Sequence, residues 1–141
     1  MHLVAVNIGS NLGNRHELIQ KALYEISEIF GICCISEMIE SMPWGFESDN
    51  RFLNLGVSFF TDLEPEEILK RLQFIEKKLS RVKHRHHDGS YKDREIDIDI
   101  MAIDEMKYES DTLTVPHHHL QDRDFFLKPL LQLIPDWKYP S

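Results

Sequence analysis

At 141 residues the chain is long enough to bury one sizeable core without disulfide or metal support, and residues 1–141 read as a single domain. A formal charge of −8, from 24 acidic and 16 basic residues, argues against a general nucleic-acid binder, whose footprint is a net basic surface. Adjacent Cys33 and Cys34 disfavour an intrachain disulfide, the start Met1 to Val6 lacks the form of a signal peptide, and no apolar stretch is long enough to span a bilayer; a cytoplasmic protein is expected.

Leu3 to Ile8 is a short apolar run that reads as a strand, and Gly9-Ser10-Asn11-Leu12-Gly13 as the turn after it. The turn carries neither a Walker ending nor a dinucleotide fingerprint, although Ser10 or Asn11 is suited to brace a neighbouring loop. Asn14 with Glu17 resembles a capping box, and Leu18, Ala22, Ile26, Ile29 and Phe30 recur at helical spacing until Gly31, which predicts a helix over 15–30. Ile32 to Glu40 and Leu53 to Phe60 read as the second and third strands. Pro65, Glu66 and Glu67 suit a helix start, and Ile68, Leu72, Ile75 and Leu79 give its core stripe. The run Arg94 to Met101 is the fourth strand. The order β-α-β-β-α-β predicts an α+β, ferredoxin-like sandwich on an antiparallel sheet, with an irregular extension that turns helical near Phe125 to Leu133. Residues 41–52 and 80–93 form connections long enough to be functional loops.

Within the fourth strand, Asp97 and Asp99 alternate with Ile96, Ile98 and Ile100. The isoleucines can enter a core while both carboxylates project from the other face, roughly 6 to 7 Å apart at Cα. Two like charges so placed repel, and two readings remain open: a pair that binds a hard cation such as Mg²⁺, or a solvated strand face. The loop just before them holds Arg81, Lys83, His84, Arg85, His86, His87 and Lys92, with Arg94 beyond, a basic island in an acidic protein. Alone that is a solvated charge run; beside the aspartates it is what a magnesium-bound nucleoside triphosphate needs. His117-His118-His119 cannot all face one ion in an extended segment, which favours isolated contacts over a zinc site. Trp44, Phe46, Phe52, Phe125 and Phe126 fall in loop or tail positions, where two rings could sandwich a flat heterocycle near the amide of Asn54; core packing is the default for Phe126.

The ordered set Ile8-Gly9-Ser10-Asn11-Leu12-Gly13, Glu40-Ser41 with Pro43 and Gly45, Phe52-Leu53-Asn54, Gln73 with Glu76, Arg81, Arg94 to Ile100, Leu113-Thr114-Val115-Pro116-His117, and Arg123 with Phe125 is similar to the 6-hydroxymethyl-7,8-dihydropterin pyrophosphokinase family of folate biosynthesis, across nearly the whole chain. The resemblance implies a ferredoxin-like fold and transfer of pyrophosphate from ATP to the hydroxymethyl group of the reduced pterin, releasing AMP. It implies two Mg²⁺ ions on Asp97 and Asp99 and phosphate clamping by Arg81 and Arg94, these four being the catalytic set. It places Gln73, Glu76, Tyr91, Ile100, Thr114, His117 and Arg123 with those arginines around the nucleotide. Phe52 and Phe125 match the pterin stacking pair, Asn54 its side-chain partner, and Ser41 and Trp44 its loop contacts, with Asp97 also beside the pterin. Where the family usually reads Trp-Gly-Pro-Arg, this chain has Tyr91-Lys92-Asp93-Arg94, after a longer, histidine-rich loop. The expected partners are ATP and the pterin, with no nucleic acid and no membrane, and the expected state is a monomer. A non-enzymatic sensor of metals or anions and a metal-dependent phosphodiesterase are the alternatives; the latter lacks a clear general base for water.

Overall fold

A computed structural model describes residues 1–43, 50–80 and 95–141. Its elements are β1 (His2–Ser10), α1 (Arg15–Phe30), β2 (Cys34–Ser41), β3 (Phe52–Thr61), α2 (Pro65–Leu79), β4 (Asp97–Ile103), a short hairpin of β5 (Tyr108–Glu109) and β6 (Thr114–Val115), and α3 (Asp124–Leu133). The four long strands form one sheet in the order β2-β3-β1-β4, with every pairing antiparallel. This is the ferredoxin-like arrangement expected from the order of elements.

Helix α1 starts where the Asn14 side chain accepts a hydrogen bond from the Glu17 backbone N–H (3.2 Å), satisfying one of the free donors of the first turn. It stops at Gly31, whose φ of 88° lies where a side chain would be strained. Helix α2 begins on Pro65, whose missing N–H costs nothing at that position. The two helices bury Ile19, Ala22 and Ile26, and Ile68, Leu72 and Ile75, against one face of the sheet. That face is made by Val4, Val6 and Ile8 of β1, Leu53, Leu55, Val57 and Phe59 of β3, and Ile98 and Ile100 of β4. Burial of each such side chain stabilises the fold by about 1.5 to 3 kcal/mol.

The opposite face is divided. Toward one end α3 covers it, and Phe126, Leu130 and Trp137 pack with Ala5, Met101 and Ala102. Toward the other end the face becomes polar, because the pairings Gly9↔Asn54, Gly9↔Asp97 and Asn7↔Asp99 line up Asn54, Asn7, Asp97 and Asp99. Gly56 marks the seam: a Cβ built there would lie 2.6 Å from Cβ of Pro129 and 3.2 Å from a methyl carbon of Leu133.

Several expectations need correction. Gly9 and Ser10 are strand residues, not turn, because their backbones pair with β3 on one side and, for Gly9, with β4 on the other. Ser41 and Phe52 close β2 and open β3 as a facing pair, so neither is a loop residue. The second strand begins at Cys34 rather than Ile32, and β4 begins at Asp97. The periodicity did not indicate the β5–β6 hairpin, since strands of two residues carry no period. Asn11 does brace a neighbour, its amide donating to the Asn50 carbonyl (3.2 Å).

Gly56→Ala should destabilise the protein by about 1 to 3 kcal/mol, because α3 must move away from the sheet to admit the methyl group. The urea midpoint measures this, and an unchanged midpoint would mean that α3 does not rest on β3 as described.

Candidate functional site

The polar end of β4 opens into a cleft of about 380 Å³ lined by Gln73 and Glu76 of α2, Asp97, Asp99 and Ile100 of β4, Ser110 to Thr114 of the hairpin, and His117. Seven residues expected at the nucleotide and metal site, Gln73, Glu76, Asp97, Asp99, Ile100, Thr114 and His117, therefore come together, although they are spread from residue 73 to residue 117. Asp97 and Asp99 are half-buried while Ile98 and Ile100 between and beyond them are buried, as strand alternation requires.

Glu76 adds a carboxyl group from α2 to Asp97 and Asp99 of β4 and Asp111 of the hairpin. Its side chain accepts a hydrogen bond from the Ile98 backbone N–H (2.7 Å), which ties α2 to β4 between the two aspartates. Burial, and then the charge of Asp97, push its carboxyl up to about 9. At neutral pH Glu76 is therefore protonated, and the crowded acids shed one negative charge.

His117 faces the pair from the other side, with Nε2 3.9 Å from an Asp99 oxygen. Burial, aided by the nearby Arg123, His118 and His119, holds its ring down to about 3, so it is neutral. The His119 backbone N–H donates to His117 Nδ1 (3.1 Å), which leaves the ring proton on Nε2, the nitrogen turned to Asp99. The backbone of His117 is fixed to β4 by its N–H to the Met101 carbonyl (3.0 Å).

The hairpin wall is held by Glu66 at the start of α2. Its carboxylate accepts hydrogen bonds from Tyr108 (2.6 Å), Ser110 (2.6 Å) and Thr112 (2.5 Å). The three hydroxyls hold that carboxyl down to about 2. The sequence suggested Glu66 only as a helix-start residue; hydroxyls 42 to 46 positions away are invisible to local pattern.

A second group lies across β1. The Asn54 amide donates to the Ser41 hydroxyl (2.8 Å) and the Ile39 carbonyl (3.1 Å), and its oxygen accepts from the Asn7 amide (3.2 Å). Phe52 borders the same place, 3.5 Å from a Cβ built on Gly9. Asn7 was missed by sequence reasoning; the available signal was one polar residue inside the apolar run of β1, on the face it shares with Gly9. Phe125 sits at the start of α3, edge-on to Phe126, with the ring centroids 5.1 Å apart. Arg123 is buried, its guanidinium 5.0 Å from the Phe126 ring centroid and 5.7 Å from that of Phe125, and it is not among the residues lining the cleft. Trp44, Arg81, Tyr91 and Arg94 lie outside the described residues.

The carboxylate oxygens suit Mg²⁺, which prefers hard donors and keeps several positions for water and phosphate. One observation fits such an ion: Asp97 and Asp99 stand at alternate positions of β4, on one face, and line the same cleft. Fold and site together define a ferredoxin-like α+β protein with an acidic cleft suited to a metal-bound polyphosphate.

Residues 5–135 match the family model described as 7,8-dihydro-6-hydroxymethylpterin-pyrophosphokinase. The chain is 39% identical over 143 residues to the 2-amino-4-hydroxy-6-hydroxymethyldihydropteridine pyrophosphokinase of Porphyromonas gingivalis, covering 100% of this chain and 96% of that protein. It is also 39% identical to the enzyme of that name from Aquifex aeolicus, covering 99% of this chain and 85% of the relative. Among solved structures, an HPPK-DHPS in complex with substrates superposes with a TM-score of 0.73 at 15% identity, which supports the fold; the match covers 98% of this chain and 41% of that one. The chain belongs to the 7,8-dihydro-6-hydroxymethylpterin-pyrophosphokinase family.

Glu76 binds its proton more tightly in the folded than in the unfolded chain. Its contribution to stability is therefore complete below about 4.5 and is lost as pH rises toward about 9. Metal-free Glu76→Gln should melt higher than the parent at pH 8, by several degrees if about 1 kcal/mol or more is recovered, and the gain should vanish near pH 4. Thermal midpoints across pH measure this; a gain independent of pH would remove the assignment.

Proposed function

We propose that the chain transfers pyrophosphate from ATP to the hydroxymethyl group of 6-hydroxymethyl-7,8-dihydropterin, yielding the pterin diphosphate and AMP in folate biosynthesis. The observation that carries this reading is the convergence of Asp97, Asp99, Glu76, Gln73, Thr114 and His117 on one cleft, in a chain whose relatives bear the name of that enzyme. The pterin hydroxyl oxygen forms a bond to the β-phosphorus of ATP, the bond from that phosphorus to the α–β bridging oxygen breaks with its electron pair leaving on AMP, and the hydroxyl proton is released to solvent.

Asp97 and Asp99 would hold two Mg²⁺ ions. When bound, these supply neutralising charge for the triphosphate and a template for its alignment. The protein's share is positioning and electrostatics. Gln73, Glu76, the Ile100 backbone, Thr114 and His117 surround the nucleotide, and neutral His117 adds no positive charge that would compete for the aspartates. Arg81 and Arg94 clamp phosphates with their forked donors, and Tyr91 and Arg123 complete the nucleotide set. Phe52 and Phe125 stack on the pterin, while Asn54, Ser41 and Trp44 fix its edge. A single domain acting as a monomer on two small substrates in the cytoplasm completes the reading. Among the described residues, no helix is long and apolar enough to cross a membrane.

Incubation with Mg²⁺, ATP and the pterin should release AMP only when the pterin is present. ADP release, or no nucleotide product, would overturn the assignment. Asp97→Ala and Asp99→Ala should each lower kcat by at least about a hundredfold, and chelation of Mg²⁺ should abolish turnover. Near-normal rates in both variants would remove the metal assignment while leaving the reaction in place.

A further inference from the structure

Asn7 lies in the middle of β1, only 2% exposed, on the face shared by Gly9, Asn54, Asp97 and Asp99. In register it stands opposite Asp99 on β4 and opposite Gly56 on β3. It is thus the polar side chain of β1 between the acidic pair and the amide of Asn54. Its own amide group donates to Asn54 Oδ1 (3.2 Å). The two hydrogens of Asn54 Nδ2 are taken by the Ile39 carbonyl and the Ser41 hydroxyl. A flipped Asn54 would bring two NH₂ groups together, so this network sets its orientation. Asn54 is then left with one function toward a ligand, the remaining lone pair of Oδ1.

The oxygen of Asn7 is buried and has no hydrogen-bond partner among the described residues. A buried amide oxygen without a donor is costly, and such groups are rare in folded chains. Gly9 borders the same network: a Cβ there would meet Asn54 Oδ1 at 3.4 Å, Phe52 at 3.5 Å and Asn7 Nδ2 at 3.7 Å. Without that carbon, the backbone forms a floor bordered by two carboxamides and an aromatic ring. A planar heterocycle rich in N–H donors is the chemistry such a floor accepts.

We infer that Asn7 is a substrate-binding residue, whose carboxamide oxygen accepts a hydrogen bond from an N–H or O–H of the pterin while its amide group fixes Asn54 as a second acceptor. This rests on the pyrophosphokinase reading, and it adds a residue of β1 to the pterin site. Asn7 thereby joins pterin recognition to the strand that faces the acidic pair.

The test measures pterin binding and nucleotide binding separately. Asn7→Ala should raise the Kd and KM for the pterin about tenfold or more, the loss expected for a buried hydrogen bond, while the Kd of a non-hydrolysable ATP analogue with Mg²⁺ stays within about twofold. Equal losses for both ligands, or none for either, in a folded variant would overturn the inference. The unaltered protein gives a second readout should the variant fail to fold. With ¹⁵N labelling, the Asn7 side-chain amide signals should shift on titration with pterin in the presence of the ATP analogue, and their invariance at saturation would overturn it. Failure of the parent to make AMP from pterin and ATP would strike the underlying reading, whereas an active parent with a pterin-indifferent Asn7→Ala strikes only the role of Asn7.

Discussion

The antiparallel register of β1 between β3 and β4 is the constraint on which the rest of the structure depends. It places Gly9 beside both Asn54 and Asp97, and Asn7 beside Asp99. Side chains alternate faces, so a slip of one residue in β4 would turn Asp97 and Asp99 into the helix-covered core and expose Ile98 and Ile100. The isoleucines resist that slip. Their burial against α1 and α2, together with the cost of moving two carboxylates into an apolar core, holds the acids on the outer face. The same hydrophobic pattern that makes the core therefore aims the chemistry.

Beyond the aiming, the site depends on how charge is distributed around it. Glu76 meets Asp97 and Asp99 where α2 touches β4, with Asp111 across the cleft in the hairpin, and burial together with the charge of Asp97 keeps Glu76 protonated. His117, which could have offset the acids as a cation, is instead kept neutral by burial. What remains is a pair of aspartate carboxylates, Asp97 and Asp99, facing a hairpin wall that Glu66 draws toward α2. Such a site favours a hard cation carried in with phosphates over an ion enclosed by protein ligands alone. The division of the outer face serves the same end: α3 covers the small-residue end through Gly56, Ala5 and Ala102, and the polar end is left to Asn7, Asn54 and the aspartates.

Much of this was legible from local pattern. Both long helices follow from their caps and apolar stripes, and their observed limits, Arg15–Phe30 and Pro65–Leu79, agree with those signals. Asp97 and Asp99 were conspicuous because charge interrupts a strand pattern. Gly9 and Phe52 were read as turn and loop because glycine and isolated aromatics suggest such places, whereas pairing with neighbouring strands claimed both. The Glu66 cluster and the β5–β6 hairpin have no periodic signature.

The sequence by itself determined the order of elements, the alternation that puts two carboxylates on one face of β4, and, through an ordered set of motifs, the family. Those features depend on neighbours within a few positions along the chain, where periodicity and capping act. Tertiary structure alone decided that Glu76 is protonated and His117 neutral, since burial and the approach of distant charges set those states. It alone also placed Asn7 between Asn54 and Asp99. That position follows from strand register, a long-range property that no residue of β1 encodes without its partners.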